Sequence, residues 1–135
     1  MNSSRVFMKP ILIKTIDLEN HLTLEIYDES IETVGDRWMV NMVARIKVPL
    51  DEALIQKSKD FSANKDKIKK ALGKEVVFEH KSNRIFVDQN EKESIFQEMY
   101  DSFIDNILPY LSRPNFSERF LLKKIREEMK KHYIL

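Results

Sequence analysis

Between Trp38 and Val48 the chain alternates in a way that decides much of its architecture. Trp38, Val40, Met42, Ala44, Ile46 and Val48 fall on one side of an extended strand. Arg37, Met39, Asn41, Arg45 and Lys47 fall on the other, with Val43 as the exception. Successive side chains of a strand point to opposite faces, so this pattern describes a strand with one face buried, as in an antiparallel sheet.

The flanking segments extend the sheet. Ile11 to Leu18 and Leu22 to Tyr27 are β-rich runs, with Glu19-Asn20 as a two-residue turn in which Asn supplies a positive φ. Gly35-Asp36 is the strongest turn signal, read as a type II′ hairpin turn led by glycine. Strict pairing about it sets Tyr27 opposite Ala44 and turns Leu22, Leu24 and Ile26 away from the core. A slip of one residue exchanges the faces of a strand, so an irregularity is expected in Asp28-Glu29-Ser30.

Pro49 ends the third strand, and Asp51 can cap a short helix from Glu52. Ser62 to Leu72 is helical in composition, and Gly73 follows as a C-cap. A second hairpin is expected next. Val76, Phe78 and His80 alternate, Ser82-Asn83 turns, and Ile85 and Val87 return with their apolar faces matched. Asn90 with Glu93 reads as a capping box for a helix carrying Ile95, Phe96, Met99, Tyr100, Phe103, Ile104, Ile107, Leu108 and Leu111. Pro109 kinks or ends it. The final helix, capped by Asn115 or Ser117, buries Leu121, Leu122, Ile125, Met129 and Tyr133.

The expected order is therefore β-β-β-α-β-β-α-α. This is an α+β domain over residues 1–135, with an antiparallel sheet of about five strands and two C-terminal helices packed on one face.

Composition narrows the chemistry. The 135 residues include two glycines, where average usage would place about nine, so a glycine-rich phosphate loop has no material. There is no cysteine, which removes thiolate catalysis, disulfides and cysteine-based metal sites. The first ten residues lack an apolar stretch of signal-peptide length, and no run is long enough to span a bilayer. A soluble cytoplasmic protein without membrane association is expected.

The net charge of +1 averages unlike segments. Residues 91–111 carry five acidic and one basic side chain, and residues 112–135 carry three acidic and seven basic. Packed side by side, the two helices would neutralise each other. Histidine occurs only at His21, His80 and His132, in separate elements. Glu128 and His132 have the spacing of a ligand pair but also of a helix-surface pair near a C-terminus. Glu98, Asp101 and Asp105 share a helix face, which suits a solvated acidic surface better than acid/base chemistry. No catalytic residue, metal ligand or cofactor is assigned.

Two surfaces remain. Met39, Val43, Val77, Phe86, Phe116 and Phe120 are apolar where a one-sided sheet or an amphipathic helix would be polar, which points to a protein partner, with a homodimer as the simplest case. The leading expectation is a non-catalytic interaction or self-associating module. The alternative is nucleic-acid binding through Lys65, Lys67, Lys69 and Lys70 together with Lys123, Lys124, Arg126, Lys130 and Lys131. Against it stand the missing interleaved aromatics and a pI near 7.9. A small-ligand binder or enzyme with a cleft between sheet and helices is the third reading.

Overall fold

The computed structural model describes residues 10–133, with the side chains of the helical residues His132 and Tyr133 outside the description. The expected burial of Tyr133 and the Glu128–His132 pairing therefore lie outside the described residues. Strands β1 (Ile11–Asp17), β2 (Thr23–Asp28), β3 (Ile31–Glu32), β4 (Arg37–Pro49) and β5 (Glu75–Asp88) form one antiparallel sheet. Three short helices, α1 (Glu52–Gln56), α2 (Lys59–Ala63) and α3 (Lys65–Leu72), bridge β4 to β5. After β5 come α4 (Lys92–Asn106), α5 (Leu108–Leu111) and α6 (Phe116–Tyr133).

Strand β4 is the spine of the sheet. Along one edge it pairs with β2 and then β3, and along the other with nearly the whole of β5. Its even-numbered side chains face the helices. Val40, Met42, Ala44, Ile46 and Val48 are fully buried there, in a cluster with Met99 and Phe103 of α4, Leu111 of α5, and Phe116 and Leu121 of α6. Ile55, Ile68, Ile125 and Met129 form a second cluster between α1, α3 and α6. Each fully buried aliphatic chain contributes roughly 1.5–3 kcal/mol of apolar transfer free energy. The α+β architecture with an antiparallel sheet of five strands is as expected. Among the described residues no helix is long and apolar enough to cross a membrane.

The expected second hairpin is absent. Ser82-Asn83 is not a turn, and β5 runs unbroken through it for 14 residues. Phe78 lies opposite Ile46, and Val87 lies opposite Trp38, far from one another. The alternation that matched two short strands about a turn matches one long strand equally well. The 13-residue β4 alongside then decides, because its whole edge can be satisfied only by a strand of similar length. The register shifts where Ile85 and Phe86 together oppose Met39, and Phe86 takes a left-handed φ of 57°. This bulge returns Val87 to the buried face and leaves Ile85, expected on that face, exposed.

The first hairpins close on three-residue loops rather than two. Leu18 N–H donates to the Leu22 carbonyl and Thr33 N–H to the Arg37 carbonyl. The positive φ of the first loop falls on His21 at 71°, not on Asn20. The Asn20 side chain instead donates to the carbonyls of Leu111 (2.8 Å) and Arg113 (2.9 Å), tying this loop to the α5–α6 connection. In the second loop both Gly35 and Asp36 are left-handed. The extra residue is Val34, and it supplies the one-residue slip that brings Leu24 opposite Ile46. The ladder does break at Glu29-Ser30, as expected, but the register is the same on both sides of the break. There the Ser30 hydroxyl accepts from Asn41 N–H and stands in for a backbone rung.

The helices are shorter than their apolar stripes implied. Asn64 separates α2 from α3, and Gly73, at φ 75°, ends α3 with its N–H on the Lys69 carbonyl. Asp51 caps α1 through Ala53 N–H, as expected. No Asn90–Glu93 capping box forms, because residues 89–91 make a 3-10 turn leading into α4. Pro109 sits in the first turn of α5, after α4 has ended.

Candidate binding surfaces

The outer face of the sheet is held by a charged group rather than left apolar. Arg45 donates to Glu79 (2.7 Å) and to Glu29 (3.0 Å), and its guanidinium lies 5.0 Å from the centre of the Tyr27 ring. The hydrogen bond from Arg45 holds the Glu79 carboxyl below the ordinary carboxylate range. Burial opposes this, while the charges of Lys81 and Arg45 add to it. Such a carboxylate contributes stability that is complete above its unfolded value of about 4.3 and is lost as pH falls through the lower folded value. Glu79→Gln is therefore expected to lower the urea midpoint at neutral pH, with the gap to the parent closing as pH falls below about 4.3. A gap that stays constant through that fall would contradict the assignment.

The six apolar candidates separate sharply. Val43, although on the outer face, is 1% exposed, and Phe116 is 3% exposed; neither presents surface in the single chain. Met39 and Phe120 are half-buried. Val77 is exposed, and Phe86, at the bulge, is 77% exposed. Ile85 beside it is 62% exposed and Val34, in the loop before β4, is 89% exposed. These two were not singled out from sequence. Ile85 was misplaced by the expected hairpin, and Val34 became an extra loop residue only through the register.

The basic candidates separate as well. Lys65 (3.6 Å) and Lys69 (3.2 Å) both reach Glu52, while Lys67 and Lys70 are exposed without an ion pair among the described residues. The Lys69 hydrogen bond draws the Glu52 carboxyl below its ordinary value. On α6, Lys124 pairs with Glu127 and Lys131 with Glu128, and Glu118 takes Lys57 of the α1–α2 connection. Lys123, Arg126 and Lys130 remain exposed without an ion pair among the described residues, and Arg119, missed from sequence, joins them. The expected mutual neutralisation of α4 and α6 does not occur. Helix α4 lies on β4 and β5 while α6 lies on α3, and no ion pair among the described residues joins the two. Glu98, Asp101 and Asp105 stay exposed on α4.

Beside the α6 cations lies a groove of about 350 Å³ between β5, α5 and α6, walled by Phe78, Tyr110, Phe116 and Phe120. Phe78 meets Phe116 (5.3 Å) and Phe120 (5.6 Å) edge-on, and Phe116 stacks on Phe120 at 5.9 Å. Tyr110 stands edge-on to Phe116 at 5.8 Å. Arg119, Lys123 and Arg126 complete the lining, which includes no carboxylate.

A second, smaller pocket of about 210 Å³ opens between β5 and α4. His80, Ser82, Arg84, Ser102 and Asn106 supply its polar lining, and Met99, Phe103 and Ile107 its apolar floor. His80 Nδ1 and Ser82 Oγ are buried here without a protein partner. The three α4 carboxylates do not line it, so it lacks the acid beside His80 that acid/base catalysis would use. Among the described residues no three His, Asp or Glu side chains gather as a metal site. Comparison with known proteins found no matching family model, no matching curated protein and no matching solved structure.

Proposed function

We propose that this chain is a non-catalytic protein-interaction module that self-associates through the Phe86 end of its sheet. The observation that carries this reading is Phe86 itself, a bulky residue in left-handed backbone with 77% of its surface exposed. Holding a side chain larger than glycine in such a conformation costs of order 1–3 kcal/mol, and such strain concentrates where function uses it. Here the strain displays an aromatic ring beside Ile85, where contacts of high value in protein interfaces are typically aromatic. The outer edge of β5 also carries backbone groups with no strand partner among the described residues, and a free edge is a template for pairing with another chain. The dispersal of His21, His80 and the α4 carboxylates supports a role without catalysis.

Phe86→Gly separates strain from contact. Glycine adopts φ near 57° freely, so the variant is expected to fold at least as stably as the parent, by up to about 1 kcal/mol in urea titration. Its self-association, read as solution mass by sedimentation, is expected to be lost. A parent chain that stays monomeric at high concentration would overturn the proposal, as would a Phe86→Gly chain that still dimerises.

A further inference from the structure

We propose that the groove between β5, α5 and α6 binds single-stranded nucleic acid, with phosphates along α6 and a base against the aromatic wall. The charge pattern of α6 carries the first half. Arg119, Lys123, Arg126 and Lys130 recur at intervals of four, three and four residues, which places them on one narrow stripe about 16 Å long. All four are exposed. Every described acidic residue of the helix, Glu118, Glu127 and Glu128, is already held by a cation outside the stripe: Lys57, Lys124 or Lys131. The stripe therefore keeps its full charge, at a spacing suited to successive phosphates.

The second half is the pocket that the stripe borders. Phe78, Phe120 and Tyr110 turn aromatic surface toward a space of about 350 Å³ whose other lining is Phe116, Leu122 and three of the cations. Base stacking on aromatic rings beside a basic track is how sequence-tolerant binding of single strands works, and it needs bases released from a duplex. The linear sequence hides this pairing. Phe120 belongs to α6 itself, but Phe78 and Tyr110 come from other elements and join it only through the fold.

The probe is a fluorescently labelled, mixed-sequence DNA single strand of about 12 nucleotides, followed by anisotropy across a salt series. Three or four phosphate contacts predict a slope of log K against log salt of about −2 to −3. Lys123→Glu with Arg126→Glu is expected to weaken binding at least tenfold. The milder pair Arg119→Gln with Lys130→Gln should lower both affinity and slope, and thermal unfolding confirms that each variant is folded. Tyr110→Ala should weaken binding roughly tenfold with the slope unchanged, because stacking involves no counterion release. Absence of binding at low salt overturns the proposal. So does binding unchanged in the folded charge variants, equal binding of the corresponding duplex, or equal competition by polyglutamate, which would mark the groove as a site for acidic polypeptide.

Discussion

Ile46→Ala is expected to remove a large fraction of the stability of the fold. Ile46 is fully buried at the middle of β4, with Leu24 opposite on one side and Phe78 on the other. Truncating such a residue removes its transfer free energy and leaves a cavity that the surrounding strands cannot close, a loss of about 2–5 kcal/mol. Domains of this size carry about 5–15 kcal/mol in total. The matched control is Val77→Ala, on the exposed face of β5, where a change within about 0.5 kcal/mol is expected. Urea midpoints report both. Similar losses at the two positions would mean that the helices do not cover the even-numbered face of β4.

Ser82→Pro and Asn83→Pro should differ strongly, and the difference reads the topology of β5. Leu50 N–H donates to the Lys74 carbonyl, and hydrogen bonding alternates along an antiparallel pair. Counting back along the register directs Ser82 N–H toward Met42 and Asn83 N–H toward the free edge. Proline at 82 removes an inward donor and strands the Met42 carbonyl, at about 1–3 kcal/mol before any clash of the ring. Proline at 83 removes an N–H that faces outward, and edge strands tolerate that. Were Ser82-Asn83 a two-residue hairpin turn, neither N–H would serve the β4 ladder, and the two variants would lack this asymmetry. Thermal midpoints of the two variants discriminate between the cases.

The elements whose partners are near in sequence were the legible ones. The one-sided pattern of β4, the Asp51 cap of α1 and the Gly73 terminus of α3 rest on local geometry, and each appears as expected. The register problem in the first hairpins was also legible, because Leu24 and Ile26 had to face the same way as Ala44 and Ile46. Its location was not. A residue added beside the turn and a bulge in mid-strand have the same effect on the pattern, and the chain uses Val34.

The surfaces were harder to read. Phe116 looked like a candidate for contact and is a wall of the core, while Val34 and Ile85 looked unremarkable and stand exposed. Lys124 with Glu127 and Lys131 with Glu128 are i,i+3 pairs within α6 itself, and the spacing of Arg119, Lys123, Arg126 and Lys130 is equally local. What the fold alone decides is that this stripe borders the groove with Phe78 and Tyr110.

The sequence by itself determined the class of this protein: an antiparallel sheet with helices on one face, no thiol chemistry and no glycine loop for phosphates. Those conclusions follow from composition and from periodicities of two and about 3.6 residues, which are properties of short segments. Tertiary structure alone decided that residues 75–88 form one strand, that the acidic and basic helices lie apart, and that Phe78 and Tyr110 meet the cations of α6. Each depends on which distant segment satisfies a given backbone edge or apolar stripe. A long β4 demanded a long partner, and that requirement placed β5 and, with it, Phe78 in the wall of the groove.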